Sequence, residues 1–420
     1  MTDQFPVREG IRHCEGVALP AIAAAAGTPV YVYSLAAMRA QARAMHAALG
    51  PLGDPLIGFA VKANPNIAVL TALAAAGMGA DVVSGGEYAR ARAAGVAPDR
   101  IVFSGVGKTA GEMRQALEGG LAQFNLESLP EAEMLSEVAV AMGVTAPVAW
   151  RINPDVEAGS HAKISTGAAH NKFGIPIGDA PAACAKVRDL PGLELKGLAV
   201  HIGSQLTSLA PLEQAFGRLG EMIARLRSEG HQISTADLGG GLGLHYDPSL
   251  PPPPSIADYG AMVARATQGW DVRLIFEPGR LIVGNAGVLL TEVIRVKESG
   301  EARFVILDAG MNDLLRPSLY DAWHAIEPVT PDGEQMVADV VGPVCESGDT
   351  FAKQRAMPLV QAGELVGFRS AGAYGAVMSS EYNSRPLVPE VLVSGDHFAV
   401  IRPRPTYDEM IARDTIPAWL

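Results

Sequence analysis

From about residue 55 to residue 280 the chain repeats one theme: a short apolar, β-branched run ends on a polar or glycine residue, and an alanine-rich helical stretch follows. The runs are IGFAVKAN, GADVVS, RIVFSG, AQFNLES, VAWRINP, GLAVHIGS, TADLGGG and RLIFEPGR. Eight such runs are what a closed (β/α)₈ barrel of TIM type requires. An open doubly wound sheet would show fewer strands and would gather its chemistry at one switch point. Here nearly every run ends in a chemically useful group: Lys62, Ser84, Ser104, Glu127, Asn153, His201, the glycines from Gly239, and Glu277. In a barrel those ends converge on one face, where active sites are built.

After about residue 281 the periodicity becomes strand-like, in VLLTEVIRV, RFVILDAG, QMVADVVG, LVGFRSAG and VLVSGDHFAVIR. This predicts an all-β, barrel-like domain over residues 284–420, behind a (β/α)₈ barrel over residues 41–283. Residues 1–40 contain the strand-like TPVYVYS and are expected to pair with the β domain. The alanine-rich stretch Leu19 to Ala26 reads as a buried helix, and SLPPPPS, Ser249 to Ser255, as a surface loop.

Composition narrows the function. A chain of 420 residues can bury a large core and suits more than one domain. A formal net charge of -12 without any basic run argues against nucleic acid or an anionic membrane as partner, leaving small molecules and other protein chains. Cys14, Cys184 and Cys345 stand far apart without CxxC spacing, so neither a disulfide framework nor a zinc site is indicated. Cys14 and Cys184 read as inert thiols packed in helices. The opening MTDQFPVREG lacks an apolar stretch of signal length, and a cytoplasmic protein with reduced thiols is expected.

Two phosphate motifs fail on spacing. GVGKT ends like a P-loop, but the first glycine of that motif would fall on Val102; in GGGLG the last glycine of the dinucleotide fingerprint would fall on Leu244. A glycine run after the seventh strand, with EPGR closing the eighth, instead fits the phosphate cradle that barrel enzymes build from those two loops better than a purely structural turn.

Lys62 sits among apolar residues, which disfavour the charged amine and make it a better nucleophile; the alternative is a solvated rim lysine. Glu277 follows an apolar strand, where an unpaired carboxylate is costly. A protonated pyridine nitrogen would satisfy it and would draw electrons from a reacting carbon; a structural salt bridge is the alternative. His201 is either a satisfied core histidine or a ring-facing group. Cys345, in the loop-like GPVCESGD, is either silent or a proton donor.

Together these motifs, with GFAVKANPN, ADVVSGGE, FNLES, RINPDV, HAKISTG, NKFGIP, HIGSQ, LDAGMNDLLRPSLYDAWH and SAGAYG, resemble the fold-type III pyridoxal-phosphate decarboxylases, and within them the branch that acts on diaminopimelate. The likeness covers nearly the whole chain. It implies pyridoxal 5'-phosphate held as a Schiff base on Lys62, His201 on the pyridine face, Glu277 on the ring nitrogen, and Asp81 and Pro278 among the cofactor contacts. The phosphate would meet Ser204, Gly239, Gly240, Gly241, the Gly279 to Arg280 backbone and Tyr374, while Cys345 would deliver the final proton.

By the same resemblance Arg280, Arg316 and Tyr320 meet the substrate's distal carboxylate and Glu346 its ammonium, with Tyr374 nearby. An arginine fork matches a carboxylate, which favours meso-2,6-diaminopimelate, converted to L-lysine and carbon dioxide, over a diamine precursor. Two rivals stay open: a relative acting on ornithine, arginine or a carboxylated polyamine, and a non-catalytic cofactor-binding regulator. The family also implies a homodimer whose sites are completed by the partner's β domain.

Overall fold

The computed structural model describes residues 3–157, 172–331 and 333–420. The HAKISTG motif and Asn171, which carry part of the resemblance, lie outside the described residues. The chain divides into two compact units: Arg39–His245 with Leu250–Ile282, and Met1–Met38 with Tyr246–Ser249 and Val283–Leu420.

The first unit is a closed parallel barrel of eight strands: β1 Leu56–Ala60, β2 Gly79–Val82, β3 Ile101–Phe103, β4 Gln123–Leu126, β5 Ala146–Asn153, β6 Leu193–Ala199, β7 Thr235–Asp237 and β8 Arg273–Phe276. Each is one of the eight apolar runs read from the sequence. Closure comes from β8 pairing back onto β1, with Ile275 opposite Leu56 and Phe276 opposite Ile57. Strands covered on both faces need continuous apolar runs, and Phe59, Phe103, Phe124, Trp150 and Phe276 are fully buried accordingly. Three of the helices between strands start on side-chain caps of one kind: Ser84, Thr109 and Ser255 accept from the backbone N–H three residues on, satisfying a donor that the first turn leaves open. Ser84, a strand-end candidate, is thus occupied in capping Gly85–Ala93.

The second unit is built on one long strand, Gly287–Ser299. It pairs antiparallel with Val30–Ser34, Ala302–Leu307 and Leu365–Phe368. Val30–Ser34 also pairs parallel with Glu390–Ser394, so the N-terminal strand lies inside this sheet rather than on its edge. Its alternate residues explain that place: Val30 and Val32 enter a core with Val288, Leu290, Val391 and Val393.

Two local expectations change. Leu19–Ala26 is helical, but only Leu19 and Ile22 are buried, because a helix lying on a core hides one stripe. Cys14 ends the strand Ile11–Cys14, and only Cys184 is helical. Burial raises both thiols, Cys184 to about 12, which keeps them inert.

Candidate active site

The C-terminal ends of the barrel strands gather most of the residues singled out in the sequence. Lys62 lies in a single 3₁₀ turn, Val61–Ala63, directly after β1, and its Nζ donates to Asp81 Oδ2 on the neighbouring β2 at 2.6 Å. Asp81 is fully buried, and its Oδ1 has no partner among the described residues. A buried carboxylate with one oxygen open is an acceptor awaiting a donor.

At the ends of β7 and β8 a second acidic group forms. Ser104 Oγ donates to Glu277 Oε1 at 3.1 Å, and Asn125 Nδ2 donates to Asp237 Oδ2 at 2.7 Å while standing 3.4 Å from Glu277 Oε1. The Asn125 amide is aimed by Gln123, which donates to Asn125 Oδ1 at 2.8 Å and accepts from Thr235 Oγ1 at 2.7 Å. The Glu277 carboxyl is pushed well above its ordinary range, first by burial and then by the negative charges of Asp237 and Asp81, with Lys62 opposing. Burial also raises Asp237, but Asn125, the Glu277 carboxyl and the Gly239 N–H donate to it and hold its ionised form. The pair therefore holds one proton, on the Glu277 side.

His201 follows β6. Its Nδ1 accepts from the Gly240 N–H at 3.2 Å, so the neutral ring carries its hydrogen on Nε2. Burial first, then the charges of Arg151 and Lys62, lower its pKa well below the ordinary histidine value. Arg151 itself pairs with Glu127 at 3.0 Å, and Glu127 accepts from the Gly105 and Gly174 N–H groups. Three strand-end loops are tied together there.

The glycine run has a definite reason to be glycine. Gly239 has φ +63, and a Cβ on it would stand 2.6 Å from the Val200 carbonyl; on Gly240 a Cβ would stand 2.3 Å from the Glu277 carbonyl. Beside this turn, Ser204 Oγ accepts from Arg280 Nη2 at 3.1 Å. Lys108 of GVGKT is buried, donating to Glu131 and to the Gly105 and Asn125 carbonyls, so that motif braces the barrel.

The β unit holds the other candidates. The loop bearing Cys345 is shaped by buried Asp349, which accepts from the Val344 N–H at 2.7 Å and the Met311 N–H at 2.6 Å. Cys345 and Glu346 are exposed; the Cys345 N–H donates to Asn383 Oδ1 at 3.1 Å and the Tyr382 hydroxyl donates to Glu346. Arg316 is buried, its Nη1 2.7 Å from His324 Nε2, and Tyr320 ends the same short helix, Arg316–Tyr320. Tyr374 takes φ +55, an uncommon backbone state for a non-glycine residue.

Sequence reading missed Asp237, Asn125, Asp349, Tyr382 and His324. Asp237 carries the same signal as Glu277, an acid closing an apolar strand, and was legible. The others are recognisable only from their partners.

An amine on one strand end, an open carboxylate oxygen beside it, a proton-sharing acid pair and a glycine turn fit a cofactor with an aldehyde, a basic ring nitrogen and a phosphate. Residues 35–284 match the pyridoxal-binding domain of the pyridoxal-dependent decarboxylases. A diaminopimelate decarboxylase from Zymomonas mobilis is 55% identical over 418 residues, 99% of either chain. Among solved structures, diaminopimelate decarboxylase from M. jannaschii in complex with L-lysine is 35% identical with a TM-score of 0.95, covering 100% of this chain and 99% of that one. The Helicobacter pylori enzyme with L-lysine is 39% identical with a TM-score of 0.90, covering 94% and 98%. The chain belongs to the pyridoxal-dependent decarboxylases, in the diaminopimelate decarboxylase family.

Proposed function

We propose that this chain removes one carboxylate from meso-2,6-diaminopimelate and releases L-lysine and carbon dioxide, with Lys62 holding pyridoxal phosphate. The observation that carries this reading is the buried Asp237–Glu277 pair beside Lys62, whose charge acts on Glu277. Bound pyridoxal phosphate supplies an electron sink for the pair released when carbon dioxide departs.

The residues divide the work. Lys62 Nζ supplies the amine, and Asp81 holds it at the strand end. Glu277 would hold a protonated ring nitrogen, and ionised Asp237, adding negative charge beside it, would favour that protonated form. His201, neutral and turned by the Gly240 N–H, presents a ring face without adding positive charge. Gly239, Gly240, Gly241, Ser204, Pro278, Gly279 and Arg280 lie along the three loops after β6, β7 and β8 that would hold the phosphate, and Tyr374 would add a hydroxyl. Arg280, Arg316 and Tyr320 read the carboxylate at the end of the substrate that is not decarboxylated, and Glu346 its ammonium. The Cys345 thiol delivers a proton to the carbon that has lost carbon dioxide.

An exposed thiol works poorly as a directed acid, because water competes with it. A homodimer in which the partner's β unit supplies Cys345 and Glu346 to each site would remove that competition. The composition and the thiol chemistry support a cytoplasmic enzyme, and no helix among the described residues is long and apolar enough to cross a membrane.

The decisive experiment measures carbon dioxide release from meso-diaminopimelate, L-lysine and L-ornithine. Release from the first alone is expected; equal or faster release from ornithine would replace the substrate assignment.

A further inference from the structure

Arg316 does not stand alone in the β unit. Its Nη1 lies 2.7 Å from His324 Nε2, its guanidinium lies over the Tyr246 ring at 4.6 Å, and Tyr246 meets the His324 ring edge-on at 5.4 Å. His324 Nδ1 lies 2.8 Å from the Arg369 carbonyl oxygen, and the His324 carbonyl accepts from Arg355 Nη1 at 3.0 Å. Arg316 and His324 are both buried.

These contacts fix the state of the imidazole. A carbonyl oxygen can only accept, so Nδ1 carries the hydrogen; a guanidinium can only donate, so Nε2 offers its lone pair. His324 is therefore neutral, with one tautomer, and acts as an acceptor for a cation. A guanidinium carries its five N–H donors in one rigid plane, so a bond at Nη1 and a ring under the plane set the direction of all of them.

We propose that His324 is a positioning residue: with Tyr246 it aims the Arg316 guanidinium at the substrate's distal carboxylate and so sets the preference for an amino-acid end over a bare amine. This rests on the assignment of Arg316 as the carboxylate reader. In this arrangement His324 and Tyr246 act through Arg316 rather than on the reacting atoms, so their loss should act on binding rather than on the chemical step.

Side-chain reach supplies the test. Glutamine places an acceptor oxygen about where Nε2 stands, whereas asparagine can keep a donor toward the Arg369 carbonyl but is too short for Arg316. Kinetics with meso-diaminopimelate, and inhibition by L-lysine and by 1,5-diaminopentane, which lacks the carboxylate, are measured on holoenzyme carrying His324→Asn, His324→Gln or Arg316→Ala. H324N is expected to raise KM about 10- to 100-fold, as loss of a hydrogen bond to a charged group does. It should weaken L-lysine by the same factor, leave kcat within about threefold, and not alter inhibition by the diamine, while H324Q stays within a few-fold of wild type.

Equal effects of H324N and H324Q, or an H324N loss confined to kcat, would overturn the positioning role. Unchanged KM and lysine inhibition in R316A would overturn the reading of Arg316 itself. A rise in R316A with none in H324N overturns only the part given to His324.

Discussion

The Lys62 ammonium donates to Asp81 Oδ2 across 2.6 Å, from the turn after β1 to the next strand of the barrel. The carboxylate is fully buried while the lysine side chain is 38% exposed, so the contact joins a fixed acceptor to an amine that approach from outside can reach. Lys62→Ala should abolish the absorbance of lysine-bound cofactor together with decarboxylation. Survival of that absorbance would place the cofactor on another lysine.

Glu277 and Asp237 should be separable by charge. Glu277→Gln keeps the shape but cannot pair as an anion with a ring N–H, and kcat should fall about 100-fold or more. Asp237→Asn removes the neighbouring charge, and a fall of about tenfold is expected. Nitrogen-15 NMR of holoenzyme carrying ring-labelled cofactor reads the cause: both variants should shift the nitrogen toward its unprotonated position. Lower turnover with an unmoved resonance would assign both residues to folding alone.

Cys345→Ala should slow turnover far more than it weakens cofactor binding, both measurable by titrating apoenzyme and following carbon dioxide. Mixing this variant with Lys62→Ala tests sharing of sites between chains. Exchange of subunits should restore part of the activity; none, despite exchange shown by tagged chains, would count against a shared site.

Asp313 gives a stability prediction with a definite sign. Burial lifts its carboxyl from an ordinary 3.8 to about 6, against the Gly310 N–H and the charges of Arg385 and Arg404. The folded state then holds a proton that the unfolded chain has released, so this group's stabilisation is complete below the unfolded value and is lost as pH rises to about 6. The whole effect is about 3 kcal/mol at most. Asp313→Asn removes this dependence, and its stability relative to wild type, from urea unfolding, should improve by about 1 kcal/mol between about pH 5 and about pH 8. A flat difference would show that Asp313 titrates normally.

The barrel was readable because its strands are buried on both faces, which forces uninterrupted apolar runs, and because each run ends where chemistry is placed. Lys62, His201, the Gly239 turn and Glu277 are visible by that rule, and Asp237, which closes the strand Thr235–Asp237, obeys it too. The β unit was visible as strands but not as an order of strands. Nothing local says that Val30–Ser34 lies between Gly287–Ser299 and Glu390–Ser394, since pairing partners hundreds of residues apart leave no mark in a periodicity of two.

Sequence by itself determined the class of fold and put Lys62, Glu277 and the Gly239 turn at strand ends, because backbone period, burial and residue chemistry are local properties. The tertiary structure decided which groups share a proton, which tautomer His201 and His324 hold, and which side chains meet Arg316. Those depend on distances of about 3 Å between side chains from different strands and loops, and such distances exist only once the chain has folded.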